Sequence, residues 1–97
     1  MVEHFILWKS LNDTEAVLIE VKSKLTQRDV DEHLERLAKF KHFMPRYRDV
    51  KALGAVAGMV VPDAVASYAY RRGLFVLAQS GESVIILNDA QFQPQIW

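Results

Sequence analysis

Glu20 and Lys22 stand two residues apart at the end of an apolar run, Ala16-Val17-Leu18-Ile19-Glu20-Val21-Lys22. Side chains alternate across a strand, so the two reach the same face. A carboxylate in such surroundings must find a partner, a metal or a water-filled cleft, because an unpaired buried charge is very costly. A carboxylate that holds Mg²⁺, beside a lysine that stabilises charge or helps activate water, is half of a metal-dependent phosphodiester-hydrolysing site. One carboxylate is rarely enough; a second acid from the adjacent strand normally completes the set. The same tripeptide also serves as a structural ion pair at a strand end, and short motifs recur freely.

Other chemistry-bearing residues are weaker signals. His33 falls on the apolar side of a helical segment, and His4 and His42 lie near element ends. Their spacing lacks the one-turn pairing of a helical zinc site, so core or rim roles are expected. Asp29, Asp31, Glu32 and Glu35 form the polar side of that segment, with Asp31 and Glu35 one turn apart. Lys22, Lys24 and Arg28 follow the apolar strand, and Arg46, Arg48 and Lys51 follow the helix. Meeting on one face, Lys24, Arg28, Arg46 and Arg48 would contact the phosphates of a nucleic acid. Solubility is the plain alternative. Tyr68 and Tyr70 cannot both face a core, which leaves one for a stacking or subunit contact.

The elements that position these residues follow from periodicity and turn chemistry. Residues 4–9 and 15–22 read as strands around a polar turn at Asn12-Asp13, a hairpin. Thr26 precedes Asp29 by three positions, a capping box with Asp in place of Glu. Val30, His33, Leu34, Leu37, Phe40 and Met44 recur at helical spacing, which predicts a helix over 27–43 ended by Pro45. Residues 52–61 read as a buried strand, though Gly54-Ala-Val-Ala-Gly58 also fits a close-packing motif. Pro62 and Asp63 open a second helix and Gly73 closes it. Residues 74–78 and 83–87 form a second hairpin around Gly81, and the aromatic tail 92–97 is expected to pin the terminus. The order β-β-α-β-α-β-β describes one α/β domain, 1–97, with a mixed sheet.

Composition sets the bounds. The chain has 97 residues, 51% hydrophobic and 25% charged, the profile of a globular domain. Twelve basic and twelve acidic residues cancel, so no overall field advertises nucleic acid. Cysteine is absent, which excludes disulfides and thiolate chemistry and makes a cytoplasmic location the expectation. No signal peptide or membrane span is visible.

In this context, strand, turn, Glu20-Val-Lys-Ser23, capped helix and buried strand, the chain resembles the PD-(D/E)XK, or restriction endonuclease-like, superfamily. Glu20-Val-Lys-Ser-Lys-Leu-Thr26 with Asp29-Val-Asp-Glu-His-Leu-Glu-Arg-Leu37 looks like a family of small bacterial proteins within it. Gly54-Ala-Val-Ala-Gly-Met-Val-Val-Pro62 and Gly73-Leu-Phe-Val-Leu-Ala-Gln-Ser-Gly81 extend the match to roughly residues 12–97. The resemblance implies a restriction endonuclease-like mixed sheet whose usual N-terminal part is missing. It also implies a Mg²⁺-dependent nuclease, a hydrolase with Glu20 and Lys22 as catalytic residues and Glu20 as metal ligand.

One departure counts against an intact site. Relatives carry an aspartate on the preceding strand, and counting back from the turn puts its place at about Leu7. No carboxylate stands there; Glu3 lies farther back and Asp13 lies in the turn, leaving these or a partner subunit as substitutes. Phosphodiesterase activity is therefore expected to be weak, latent or lost. The competing expectation is a non-catalytic interaction module, a homodimer that covers an apolar patch including Phe5, Ile6 and Trp8. Val17, Ile19 and Val21 are expected to face the helix-covered core.

Overall fold

The computed structural model describes residues 3–10, 12 and 14–97, with Glu3 described at its backbone alone. Strands β1 (Glu3–Lys9) and β2 (Glu15–Lys24) are followed by helix α1 (Gln27–Phe43), a 3₁₀ turn at Pro45–Tyr47 and strand β3 (Lys51–Val60). Helix α2 (Asp63–Arg71) and strands β4 (Phe75–Ser80) and β5 (Ser83–Ile86) complete the order. All five strands form one mixed sheet in sequential order. The two hairpins, β1–β2 and β4–β5, are antiparallel; β2–β3 and β3–β4 are parallel, each joined through a helix. The expected element order and α/β class therefore hold.

Local chemistry explains the boundaries. The Thr26 backbone N–H donates to Asp29 Oδ2 at 2.9 Å, and the Asp29 N–H donates to Thr26 Oγ1 at 3.2 Å. This reciprocal cap satisfies two orphan donors at the start of α1, with Asp29 doing the work usual for Glu. At the other end the Met44 N–H donates to Phe40 O, and Pro45 blocks continuation. Pro62, expected as the first helical residue, takes the cap position instead, so α2 begins one residue later at Asp63; the Pro62 carbonyl accepts from Val65 and Ala66. Gly73 has φ +82°, and a Cβ there would meet Gln95 at 2.6 Å. Turn and tail are thus both fitted to glycine.

Helices α1 and α2 touch each other and lie against β3 and β4, so both cover one face of the sheet. The core fills that layer: Leu18, Ala52, Val56 and Val76 from the strands meet Val30, Leu34, Leu37 and Phe40 from α1. A Cβ on Gly54 would stand 2.5 Å from Leu37 Cδ1 and 2.6 Å from Leu74 Cδ2. Gly54 is both strand and close-packing residue, and it lets α1 settle onto β3. The tail is pinned as expected. Phe92 packs on Phe75 and Tyr70, and the Trp97 N–H donates to Ala52 O at 2.8 Å. Among the described residues no helix is long and apolar enough to cross a membrane.

One expectation is overturned. The helix-covered face of β2 belongs to Ala16, Leu18 and Glu20, all buried, while Val17, Ile19 and Val21 are half-buried on the opposite face. Both phases of the β2 alternation are apolar, so hydrophobicity alone does not choose the side; the position of α1 does.

Candidate functional site

Strand β2 delivers Glu20 and Lys22 to the inner face, beneath the first half of α1. Glu20 is 7% exposed. The Arg36 Nη1 donates to Glu20 Oε2 at 2.6 Å. Lys22 Nζ lies 3.9 Å from Glu20 Oε1 and 3.4 Å from Asp29 Oδ1. Thus the buried carboxylate is held by two cations, and the helix cap is tied to the same lysine. Such charge-assisted bonds are what a buried acid requires.

The site continues through His33, which is fully buried. Its Nε2 is 2.9 Å from Leu18 O, and its Nδ1 is 2.9 Å from Arg36 Nη1. A carbonyl only accepts, so the imidazole proton sits on Nε2 and Nδ1 accepts from Arg36. Burial lowers the His33 pKa from its ordinary 6.5, and the Arg36 charge adds to this; the Leu18 bond and the Glu20 charge pull the other way. A neutral histidine accepting from Arg36 is consistent with that direction. His33 therefore has the expected core role and also steadies the guanidinium that reaches Glu20.

The register fixes what stands across from Glu20 on β1. Leu7 lies opposite Leu18 and packs on the core; Phe5 lies opposite Glu20. Directly opposed residues share a face, and the Phe5 ring stands 6.1 Å from His33 with the Arg36 guanidinium 4.7 Å from its centroid. The position directly opposite Glu20 thus holds an aromatic ring. Asp13 and the side chain of Glu3, the two expected substitutes, lie outside the described residues. Mg²⁺ requires about six oxygens in near-octahedral array. Glu20 Oε2 is bonded to Arg36 and Oε1 faces the Lys22 ammonium at 3.9 Å, and no three His, Asp or Glu groups gather among the described residues. Among the described residues, the donors around Glu20 fall short of that array.

The remaining candidates scatter. Lys51 pairs with Glu15 and Lys24 with Val60, so the two basic groups stand at opposite ends of β2, roughly 30 Å apart at strand rise. Lys24 is exposed at the end of β2 near Arg28, which pairs with Glu32 at 3.4 Å. Arg46 lies over Tyr47 at 5.9 Å, and Arg48 is exposed after the 3₁₀ turn. Asp31 faces α2 rather than Glu20, accepting from the Tyr68 hydroxyl, to which Arg72 donates at 3.0 Å. Tyr70 donates to Asp89 at 2.6 Å. Both tyrosines are half-buried and engaged within the chain.

Arg36 and Phe5 are the site residues that sequence reasoning missed. The available signal was helical: Asp29, His33 and Arg36 follow at spacings of four and three, one stripe along α1. Compared with protein-family models, curated proteins and solved structures, the chain has no match.

Proposed function

We propose that this chain is a non-catalytic domain on a PD-(D/E)XK-like scaffold, in which phosphodiesterase activity has been lost and the Glu20–Lys22 half-site has become a structural ion-pair centre. The observation that carries the reading is the Arg36 guanidinium, 2.6 Å from Glu20 Oε2 and close to the Phe5 ring. A bound guanidinium supplies in place the positive charge that a buried carboxylate needs, and it repels a divalent cation from the same oxygens. Lys22 is held between Glu20 and Asp29, so its charge supports the strand–helix junction.

The test is calorimetric titration with Mg²⁺ and Mn²⁺, run beside cleavage assays on labelled single- and double-stranded DNA and RNA. No saturable binding at Glu20 and no cleavage are expected. Robust metal-dependent cleavage by the wild-type chain, abolished by Glu20→Ala, would overturn the proposal. It would instead favour an active Mg²⁺-dependent nuclease. A second reading, an interaction module that uses the fold as scaffold, is favoured by the apolar sheet face left bare by the helices.

A further inference from the structure

Among the described residues the sheet ends on β1 at one edge and β5 at the other, and the two edges are built differently. β5 is a strand of four residues, Ser83–Ile86, preceded by Gly81 and Glu82. β1 runs seven residues, Glu3–Lys9, and pairs with β2 without a bulge. Between its end residues stand His4, Phe5, Ile6, Leu7 and Trp8, with no proline, glycine, lysine or carboxylate. Shortness, bulges, prolines and central charges are the devices that keep an edge from pairing. β5 is protected by its length; β1 has no such device between its ends. Phe5 and Ile6 are each 46% exposed and Trp8 53%, so apolar surface flanks the β1 edge on both faces of the sheet.

The β1–β2 ladder fixes which backbone groups this edge presents. The Ser10 N–H donates to Glu15 O at 2.9 Å, and these two stand next in the register after Lys9 opposite Ala16. Opposed antiparallel residues alternate between pairs that exchange hydrogen bonds and pairs that do not. Ser10, Trp8, Ile6 and His4 therefore bond toward β2. Phe5 and Leu7 turn their N–H and C=O groups to the open edge, in phase with Glu3 and Lys9 at the strand ends. We propose that this edge pairs antiparallel with β1 of a second copy of the chain about a two-fold axis through Ile6, joining two five-stranded sheets into one. The proposal rests on the edge alone and is independent of the Glu20 centre.

The sequence of β1 selects that occupant. With Ile6 on the axis, Phe5 lies across from Leu7 of the copy, His4 across from Trp8, and Glu3 across from Lys9, an acid opposite a base at each end. Phe5 and Leu7 then exchange hydrogen bonds with Leu7 and Phe5 of the copy. A shift by one residue breaks this match, because it sets outward-turned groups against groups that bond to β2. A shift by two keeps the match but leaves two residues of each strand unpaired. It also puts Lys9 across from Phe5, or Glu3 across from Leu7. The strand is thus complementary to its own reverse, as an isologous contact requires, and matched cross-strand pairs are what stabilise a sheet. Access is open on the helix side as well. A groove of about 370 Å³ separates Phe5 from Phe40, Phe43 and Met44 at the end of α1, so the helix layer stops short of the edge.

Analytical ultracentrifugation of the wild type, Ile6→Lys, Ile6→Glu and their equal mixture tests the proposal. The wild type should sediment at twice the 11.1 kDa chain mass at high micromolar concentration. On the axis Ile6 meets its own copy, so either charge alone should weaken association at least tenfold, and mixing the two variants should restore it. Ile6 is half exposed on the face the helices leave bare, so circular dichroism should not change. A wild-type monomer would overturn the proposal, as would a dimer that persists in Ile6→Lys or a mixture that stays monomeric. Disulfide capture reads the register without the charged variants. The chain has no cysteine, and opposed residues of a non-bonded antiparallel pair stand close enough to bridge. Ile6→Cys should cross-link on mild oxidation, whereas Trp8→Cys, about 13 Å from its counterpart at strand rise, should not. No cross-link at Ile6→Cys, or equal cross-linking at both positions, would overturn the proposal.

Discussion

The two faces of this sheet invert the usual order of burial. Glu20, a carboxylate, is buried on the helix-covered side, while Ile6 and Trp8 stand half exposed on the other. The difference teaches that the layer above a strand, more than the residue itself, sets the environment. On the covered side a charge survives because α1 brings Arg36 and His33 to it and β2 brings Lys22. On the bare side apolar residues remain because nothing within the described chain covers them. Matched substitutions on the two faces would sharpen or break this contrast.

The largest effect should come from Leu37→Ala. Leu37 is fully buried over Gly54, with no Cβ beneath it to fill the space it leaves. A cost of about 2–5 kcal/mol is expected from lost transfer energy and the residual cavity. Ile86→Ala, measured at a protein concentration low enough to exclude association, should stay within about 0.5 kcal/mol. Urea denaturation with an unchanged slope reads both. Equal losses would mean the outer face is buried within the monomer, and the contrast would fail.

Next is the charged end of the covered face. Arg36→Ala leaves the Lys22 ammonium, 3.9 Å away, as the cation that faces Glu20 among the described residues. A buried acceptor that loses its partner costs about 1–3 kcal/mol. The lower half of that range is expected, because the Arg36 side chain is 41% exposed and water re-enters. Arg36→Lys should recover part of the loss, since one ammonium cannot reproduce the guanidinium geometry that serves both Glu20 and His33. The same centre has a pH signature. The His33 pKa lies below its ordinary 6.5 in the folded chain, chiefly through burial, so the unfolded chain binds more protons between those values. Stability should be full above about pH 6.5 and fall as pH drops below it. Urea midpoints at pH 7.5 and 5.5 should differ in the wild type, and the difference should shrink in His33→Gln.

Much of the fold was legible because its signals are local. Thr26 and Asp29 mark the start of α1, Pro45 its end, and helical spacing from Val30 to Met44 fills the interval. The sides of the sheet were not legible. Period-two alternation identifies a core face only when the other face is polar, and in β2 both phases are apolar. The partner of Glu20 was hidden for a related reason: cross-strand register depends on the turn between β1 and β2. The register sets Phe5 opposite Glu20 and Leu7 opposite Leu18, which counting residues back from the turn does not give. Arg36 lies sixteen residues after Glu20 in a different element, so only the packing of α1 on the sheet brings them together.

The most direct comparison of the faces makes one substitution on each, and at the exposed position it has the smallest effect. Val76 on β4 is buried on the covered side, and Val84 on β5 is 67% exposed on the bare side. Val→Thr preserves shape at each position and replaces a methyl by a hydroxyl. At Val76 the hydroxyl loses water among apolar neighbours, a cost of about 1–3 kcal/mol. A bond from the threonine to its own backbone would bring that toward the lower end. At Val84 the hydroxyl stays hydrated, so the change in the dilute monomer should lie within about 0.5 kcal/mol. Concentration then separates monomer stability from association. Anything that binds the folded state alone adds apparent stability by mass action, so pairing through the β1 edge makes the wild type more resistant to urea as concentration rises. Val84 lies on β5, at the opposite edge of the sheet, so Val84→Thr should leave that rise intact. Val76→Thr should lower the whole curve and leave the rise intact as well. A rise that shrinks in Val84→Thr would move the association from the β1 edge to the bare face.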